Sequence, residues 1–367
     1  MGPNRTNLSA VARAHVIFVI TLGLAPCGLT AATETDTTSP PGSTTQQDLV
    51  GALKHLERAL GFRKTENFSR PSDQSVADYR CYYTGKLELP ESYEGLKLIT
   101  GTKDGCTLDT GKFDVFFYPI EAVGSGQTPL TSSLQHASTE RFLVVVPHED
   151  FHGSEDLQKL PATLNEAAST LIGFLTAGEV ALEKFGSDSE VYRNLLREPN
   201  LFLQKAVIVN SYHTRVGQLY AAVQSGEVPE AGALAEKDKL FQEIRQSCQT
   251  ISPAPRSFNR CPAANNNAGL AFDETYTKYY PVMYDLYEAK GQNLTATINA
   301  LKRVLASKSE AEAVQLLQEL TKETPSRLTP LPVQLRFQPP VNPLGDGNND
   351  GAELSDGSEA SHLHNSP

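Results

Sequence analysis

The sequence predicts an α+β protein that is mainly helical and carries a small sheet in its N-terminal half. Between residues 79 and 120 lie two segments rich in β-branched and aromatic residues, with turn signals between them. After residue 163, apolar residues recur at the three- and four-residue spacing of amphipathic helices. Charged residues make up 20% and hydrophobic residues 39% of the chain, which is typical of a globular protein.

These patterns also give the order of the elements. A first helix is predicted over residues 48–60, because leucines recur on one face and Gly61 ends the pattern. The predicted strands are residues 79–83 and 113–118. Residues 187–190 carry Ser and Glu at the spacing of a capping box and predict the start of a short helix. Longer helices are predicted over residues 163–185, 201–224, 230–249, 269–289, 294–306 and 309–322.

The N-terminus has the pattern of an export signal, predicted over residues 1–32. Arg5 and Arg13 precede a short apolar run, and small residues follow at 30–32. The run is too short to span a membrane, so we expect no membrane span in the mature chain. The protein is therefore expected to be exported, either periplasmic or secreted. Cys27 raises the alternative of a lipid anchor, which the proline directly before it fits poorly.

Two segments of biased composition flank a single predicted domain. Residues 33–47 are rich in Thr, Ser, Pro and Gln and predict a disordered spacer. Residues 326–367 are acidic, rich in Pro, Gly, Asn and Ser, and predict a disordered tail. Between them, residues 48–325 are predicted to form the folded domain.

Four cysteines remain once the signal is removed, an even number that suggests two disulfides in an exported chain. Three pairings are open, and we favour the one that joins sequence neighbours. This pairing predicts the disulfides Cys81–Cys106 and Cys248–Cys261. A zinc site built from thiols is the alternative, but the sequence has no C-x-x-C to support it.

The most informative motif is HExxH at residues 148–152. On a helix, His148 and His152 share one face and can hold a single Zn²⁺, with Glu149 beside them to take a proton from a water molecule. The alternative is two histidines on an ordinary amphipathic helix. Pro147 directly before the motif indicates either a helix that starts there or a longer helix that bends there.

A catalytic zinc usually has three protein ligands, so the motif requires one more. Glu166, fourteen residues after His152, is the candidate. Its alternative role is local, because Thr163 and Glu166 have the spacing of a capping box at the start of a helix. The upstream histidines favour the ligand.

The charge and the motifs of the chain argue against nucleic acid and nucleotides as partners. The net charge is −11, and the sequence has no Lys/Arg cluster of the kind that follows phosphates, so nucleic acid is not an expected partner. Neither a G-x-x-x-x-G-K-[ST] nor a G-x-G-x-x-G loop occurs, which disfavours nucleotide chemistry.

The zinc motif and the segments after it resemble a family of bacterial zinc aminopeptidases of the gluzincin type. Residues 165–174, NEAASTLIGF, look like the family's NExxAT segment, and residues 266–270, NNAGL, precede Tyr276 as a similar segment precedes a tyrosine in the family. The resemblance extends over residues 50–305. It implies a gluzincin-like zinc metallopeptidase domain, Zn²⁺ as cofactor and a peptide as substrate.

The resemblance also assigns roles to individual residues. Carried over by position, His148, His152 and Glu166 would be metal ligands and Glu149 the general base. Tyr276 is the candidate for stabilising the oxyanion of the tetrahedral intermediate.

Three further side chains have less specific signals. Asn266 and Asn267 either line the cleft or shape a loop. His213 could donate to the oxyanion too, although its apolar helical surroundings favour a structural role.

The function expected from the sequence is zinc-dependent hydrolysis of peptide bonds, aminopeptidase-like. One alternative is a non-catalytic exported protein that retains the fold. Another is a zinc amidase that acts on a non-peptide amide, since the same activated water serves either substrate.

Overall fold

Three antiparallel strands form the sheet expected in the N-terminal half. The computed structural model describes residues 45–101, 105–153, 160–261 and 263–322. Its strands are β1 (Asp78–Gly85), β2 (Lys97–Thr100) and β3 (Phe113–Ile120). The strand order is β2-β1-β3, and Cys81 of β1 lies opposite Ile99 on one side and Phe117 on the other.

The two faces of the sheet differ because side chains alternate along a strand. On β3, Phe116 and Tyr118 point into the core, where they pack against Phe272 with ring centroids 5.0 and 5.4 Å away. Tyr82 of β1 joins the same cluster at 5.4 Å from Phe272. By contrast, every residue of β2 is exposed. The inner face of the sheet therefore packs on the helical part of the molecule.

Eleven α-helices lie in the described residues. They are α1 (Gln46–Ala59), α2 (Ser132–Gln135), α3 (Thr139–His152), α4 (Ala162–Phe185), α5 (Glu190–Leu195), α6 (Glu198–Gln224), α7 (Glu230–Gln249), α8 (Asn267–Thr277), α9 (Tyr280–Ala289), α10 (Leu294–Leu305) and α11 (Glu310–Lys322). A 3₁₀ turn, Tyr93–Gly95, lies between β1 and β2. The prediction of a mainly helical α+β fold with a small sheet is confirmed.

The helices α3 and α4 form the centre of the molecule. All residues of α3 from Glu140 to His152 are buried, which is typical of a helix surrounded by protein on every side. Residues 142–146, FLVVV, precede the motif and include three β-branched valines, which favour strands. They are helical here because tertiary packing overrides a weak local propensity. Pro147 lies inside α3, so the helix does not start there but begins at Thr139. Of the two alternatives for the zinc-motif helix, the longer helix is correct.

Some predicted boundaries are wrong, and each has a local cause. A single helix over residues 269–289 is in fact two, α8 and α9. Pro281 stands in the first turn of α9, where its missing N–H is tolerated, whereas an interior proline would disrupt a continuous helix. The cap of α5 is Ser189 rather than Ser187, since the Ser189 side chain accepts from the backbone N–H of Tyr192. The first helix begins at Gln46, within the predicted spacer.

Both predicted disulfides are present, Cys81–Cys106 and Cys248–Cys261. Two disulfides are compatible with an exported protein. Within the described ranges, no helix combines the length and the apolar character needed to cross a membrane. The predicted signal peptide, Cys27 and the predicted acidic tail lie outside the described residues.

Candidate metal centre

The HExxH motif occupies the last turns of α3. His148 and His152 lie on one face of the helix with their Nε2 atoms 3.2 Å apart. Both side chains are buried, with 0% and 8% of the residue surface exposed. The four-residue spacing thus brings two imidazole nitrogens to one point inside the protein.

Helix α4 adds a carboxylate to this point. The Oε2 atom of Glu166 lies 3.1 Å from Nε2 of His152 and 3.3 Å from Nε2 of His148. The two helices approach closely because Gly173 faces α3: a Cβ atom there would lie 2.8 Å from the carbonyl oxygen of Val144. The structure therefore brings together the three residues predicted as metal ligands.

The alternative role of Glu166 in a capping box is not what the structure shows. Pro161 occupies the N-cap position of α4 and makes no side-chain cap bond, so Thr163 already lies in the first turn. The first N–H of the helix, that of Ala162, donates instead to Oε2 of Glu94 at 3.0 Å. Because Glu94 accepts this N–H, Glu166 does not cap the helix and its carboxylate faces His148 and His152.

The three donor atoms fit a metal ion. His148, His152 and Glu166 form the group of metal-ligating side chains found among the described residues. Zinc binds imidazole and carboxylate donors at about 2.0–2.1 Å, which places neighbouring ligand atoms of a tetrahedron roughly 3.3 Å apart. The distances of 3.1, 3.2 and 3.3 Å between these atoms are close to that spacing. The geometry thus allows an ion to sit between the three donors.

The protonation of the group also suits a metal. Burial lowers the pKa of His148 to about 4, so its imidazole is neutral near neutral pH, as a metal ligand must be. For Glu166, burial raises the pKa but the neighbouring His152 lowers it more, to about 2. For His152, burial lowers the pKa but the Glu166 carboxylate raises it more. A metal ion at this point would compete with a proton for the imidazole of His152, so metal affinity should fall as the pH falls.

Glu149, the expected general base, is buried beside the donor group. Gly124, in the loop that follows β3, lies against it: a Cβ atom on Gly124 would lie 3.2 Å from Oε2 of Glu149 and 3.3 Å from Cβ of His152. The main chain at Gly124 therefore forms one wall of the site, directly against the carboxylate. A larger residue than glycine at position 124 would therefore clash with Glu149.

Tyr276 reaches the site from α8. Its ring lies 6.4 Å from the ring of His148 at an interplanar angle of 29°, and it also packs against Phe272 at 5.6 Å. Burial, followed by the charge of Glu166, raises the pKa of Tyr276 well above its ordinary value. The phenol stays protonated and can serve as a hydrogen-bond donor.

Two residues at the site have no role in the sequence prediction. The hydroxyl of Tyr93 donates to Oε1 of Glu166 at 3.0 Å, and the Oγ atom of Ser169 lies 3.3 Å from Nδ1 of His152. Ser169 stands three residues after Glu166 on the same face of α4, a spacing that could have indicated it. Tyr93 lies 73 residues before Glu166, and no motif surrounds it.

The other candidates take structural roles. Asn266 caps α8 and donates from its amide to the carbonyl of Val115, and Asn267 donates to the carbonyl of Lys86. They shape the junction between α8 and the sheet. His213 lies on α6 with Nε2 3.1 Å from the carbonyl oxygen of Pro90, which agrees with the structural alternative.

The fold and the donor group define a mainly helical protein that carries an HExxH motif with a third carboxylate from the next helix. A sequence profile of the family described as "Putative aminopeptidase" matches residues 105–317, more than half of the chain. The chain belongs to this family. No curated protein and no solved structure matches it.

Proposed function

We propose that this protein is a zinc-dependent peptidase that acts at the centre formed by His148, His152 and Glu166. The observation that carries the proposal is the convergence of three buried donor atoms within 3.3 Å of one another. Membership of an aminopeptidase family supports a peptide as substrate. Zinc is favoured because two imidazoles and one carboxylate are a common donor set for catalytic zinc.

The metal ion and two residues beside its ligands, Glu149 and Tyr276, would each have a separate role in the hydrolysis. A zinc ion held there supplies Lewis acidity, which polarises a carbonyl and makes water acidic near neutral pH. Glu149 takes the proton from the attacking water and delivers it to the amine that leaves. Tyr276 donates a hydrogen bond to the carbonyl oxygen of the substrate as negative charge develops on it.

The proposed location is outside the cytoplasm, either periplasmic or secreted. Its support is the pair of disulfides, Cys81–Cys106 and Cys248–Cys261, since such bonds persist in oxidising compartments.

The test compares the wild-type chain with Glu149→Gln. Elemental analysis should find one zinc per chain in both proteins, because Glu149 is not a ligand. Hydrolysis of a set of peptides should fall by about 100-fold or more in the variant, as expected for the loss of a general base. Glu179→Gln, an exposed change on α4, serves as the matched control and should keep full activity.

The peptides should include pairs with a free and an acetylated N-terminus. Cleavage only of the free forms establishes an aminopeptidase, whereas cleavage of both shows that a free N-terminus is not required, and mass analysis of the products then gives the position of the cleaved bond. A wild-type chain that binds zinc but hydrolyses no peptide would contradict the proposal. It would leave the amidase and the non-catalytic protein to be distinguished by a screen of non-peptide amides.

A further inference from the structure

The connection between β1 and β2, residues 86–96, contacts helix α4, which carries Glu166. We call it the β1–β2 segment. Its contacts reach three helices: the carbonyl of Pro90 lies 3.1 Å from Nε2 of His213 on α6, the N–H of Tyr93 donates to Oγ1 of Thr275 on α8 at 2.9 Å, and Glu94 meets α4. The segment is therefore fixed at several points on either side of Tyr93.

Tyr93 enters the site from this segment. Its ring packs against both Tyr82 and Phe272, with centroids 6.3 and 5.9 Å away, and this packing directs the hydroxyl at α4. The hydroxyl donates to Oε1 of Glu166 at 3.0 Å. The other oxygen, Oε2, is the atom that faces His148 and His152. The two oxygens of one carboxylate are thus divided between a tyrosine and the metal position.

Glu94, the residue after Tyr93, takes over the helix-capping role that Glu166 could otherwise have. A helix begins with N–H groups that lack partners within the helix, and a glutamate in the first turn is often drawn to them. Here Glu94 accepts from the N–H of Ala162 at 3.0 Å. The β1–β2 segment therefore supplies a cap for α4 from outside and a hydrogen bond to its glutamate.

We propose that Tyr93 is the positioning residue of the metal centre, which holds Glu166 so that it binds the metal through Oε2 alone. The inference deepens the proposed function and relies on it for the identity of the ligands. A hydrogen bond to a ligating carboxylate fixes its orientation before the metal arrives, so less freedom is lost on binding. Tyr93 makes no contact with substrate in this role.

The experiment measures metal affinity, independent of catalysis. The metal-free protein is titrated with Zn²⁺ in competition with a chromogenic chelator, for the wild-type chain, Tyr93→Phe and Tyr82→Phe. Tyr82 is the matched control, since it lies in the same aromatic cluster, is buried, and has its hydroxyl 3.3 Å from Nη1 of Arg80. We expect Tyr93→Phe to bind Zn²⁺ about 10- to 100-fold more weakly and Tyr82→Phe to bind it as the wild type does.

A second measurement reports the ligand arrangement itself. With Co²⁺ in place of Zn²⁺, the visible absorption of Tyr93→Phe should weaken, because the freed Oε1 atom joins the coordination and a higher coordination number gives weaker bands. Tyr82→Phe should leave the spectrum unchanged. The loss of a buried hydroxyl alone would lower the melting temperature of both variants without this spectral change.

The outcomes separate the two proposals. Wild-type affinity and spectrum in Tyr93→Phe, or equal losses in both variants, would overturn the role of Tyr93. Tight zinc binding by the wild-type chain without peptide hydrolysis would overturn the peptidase proposal while leaving the role of Tyr93 measured. A wild-type chain that binds no zinc would overturn both.

Discussion

Asp150, at a position that HExxH leaves unspecified, ties the zinc-motif helix to the N-terminal part of the domain. Its carboxylate accepts from Nζ of Lys54 on α1, from Oγ1 of Thr65 at 2.5 Å, and from Nδ2 of Asn67 at 2.9 Å. Three donors from separate positions therefore fix the helix turn that carries Glu149 and His152. Rigid support of this kind keeps catalytic side chains in place.

Glu57 gives this network a measurable pH dependence. Burial, followed by the charge of Asp150, raises the pKa of Glu57 from 4.5 to about 9. The folded state therefore keeps a proton that the unfolded chain releases above about pH 4.5. The stability gained from the neutral group is complete below that pH and is lost as the pH rises through the folded-state value. The contribution of Glu57 to the free energy of unfolding therefore decreases from mildly acidic to alkaline pH.

Replacing Glu57 with Gln should remove this loss, because a neutral amide keeps a donor for Asp150 at every pH. We expect the melting temperature of Glu57→Gln to match the wild type near pH 4.5 and to exceed it by at least about 3 °C at pH 8.5. Thermal denaturation across this range is the measurement. The control is Glu66→Gln, an exposed change nearby, which should show no such divergence. A constant difference between Glu57→Gln and wild type at all pH values would contradict the assignment.

At the scale of elements, the loop after β3 closes the site through its main chain. Gly124 has no room for a side chain, since an added Cβ would lie 2.5 Å from the carbonyl oxygen of Glu149. Gly126, two residues on, has open space around it but a φ of +89°. Gly124 is therefore required because there is no space for a side chain, and Gly126 because of its backbone conformation. Alanine substitutions at the two positions should have different effects on the site.

Alanine at Gly124 should damage the site, because the new methyl group must push against Glu149 and the helix turn of His152. We expect Gly124→Ala to lose at least about 10-fold in kcat/KM or in zinc affinity, since catalysis is sensitive to small displacements. Gly126→Ala is the matched control: its positive φ costs about 1 kcal/mol of stability, but zinc affinity and activity should be retained. Peptide hydrolysis, chelator titration and urea denaturation of both variants give the comparison. Equal effects at the site from both changes would show that loop strain, not contact, is responsible.

The sequence predicts best what local spacing determines. His148 and His152 meet because a helix places residues four apart on one face, and the long helices follow from apolar periodicity. Local sequence alone does not decide whether Glu166 is a metal ligand, because its spacing from Thr163 also fits a capping box. The outcome depends on Glu94, a residue 68 positions before Ala162 that takes over the cap. Motif analysis could not identify Tyr93 either, because its contact with Glu166 joins residues 73 positions apart.

At the scale of the molecule, one aromatic cluster links the sheet to the metal centre. Phe272 lies at the centre of this cluster. It contacts Phe116 and Tyr118 of the sheet and also Tyr276, which lies beside His148. The small sheet thus supports α8 and keeps Tyr276 beside His148. The disulfide Cys248–Cys261 joins the end of α7 to the loop that leads into α8, and both cysteines are buried.

Removal of this disulfide should destabilise the whole domain without altering the metal centre. The bond closes a loop between residues 13 positions apart, and on the chain-entropy account its loss lowers the free energy of unfolding by about 3 kcal/mol. We expect the double variant Cys248→Ala/Cys261→Ala to unfold at a lower urea concentration, yet to bind zinc with wild-type affinity in the absence of urea. Wild-type protein treated with a reductant is the control, and its midpoint should fall at least as far. Weaker zinc binding by the folded variant would show instead that the bond positions α8 at the site, rather than acting through the unfolded chain.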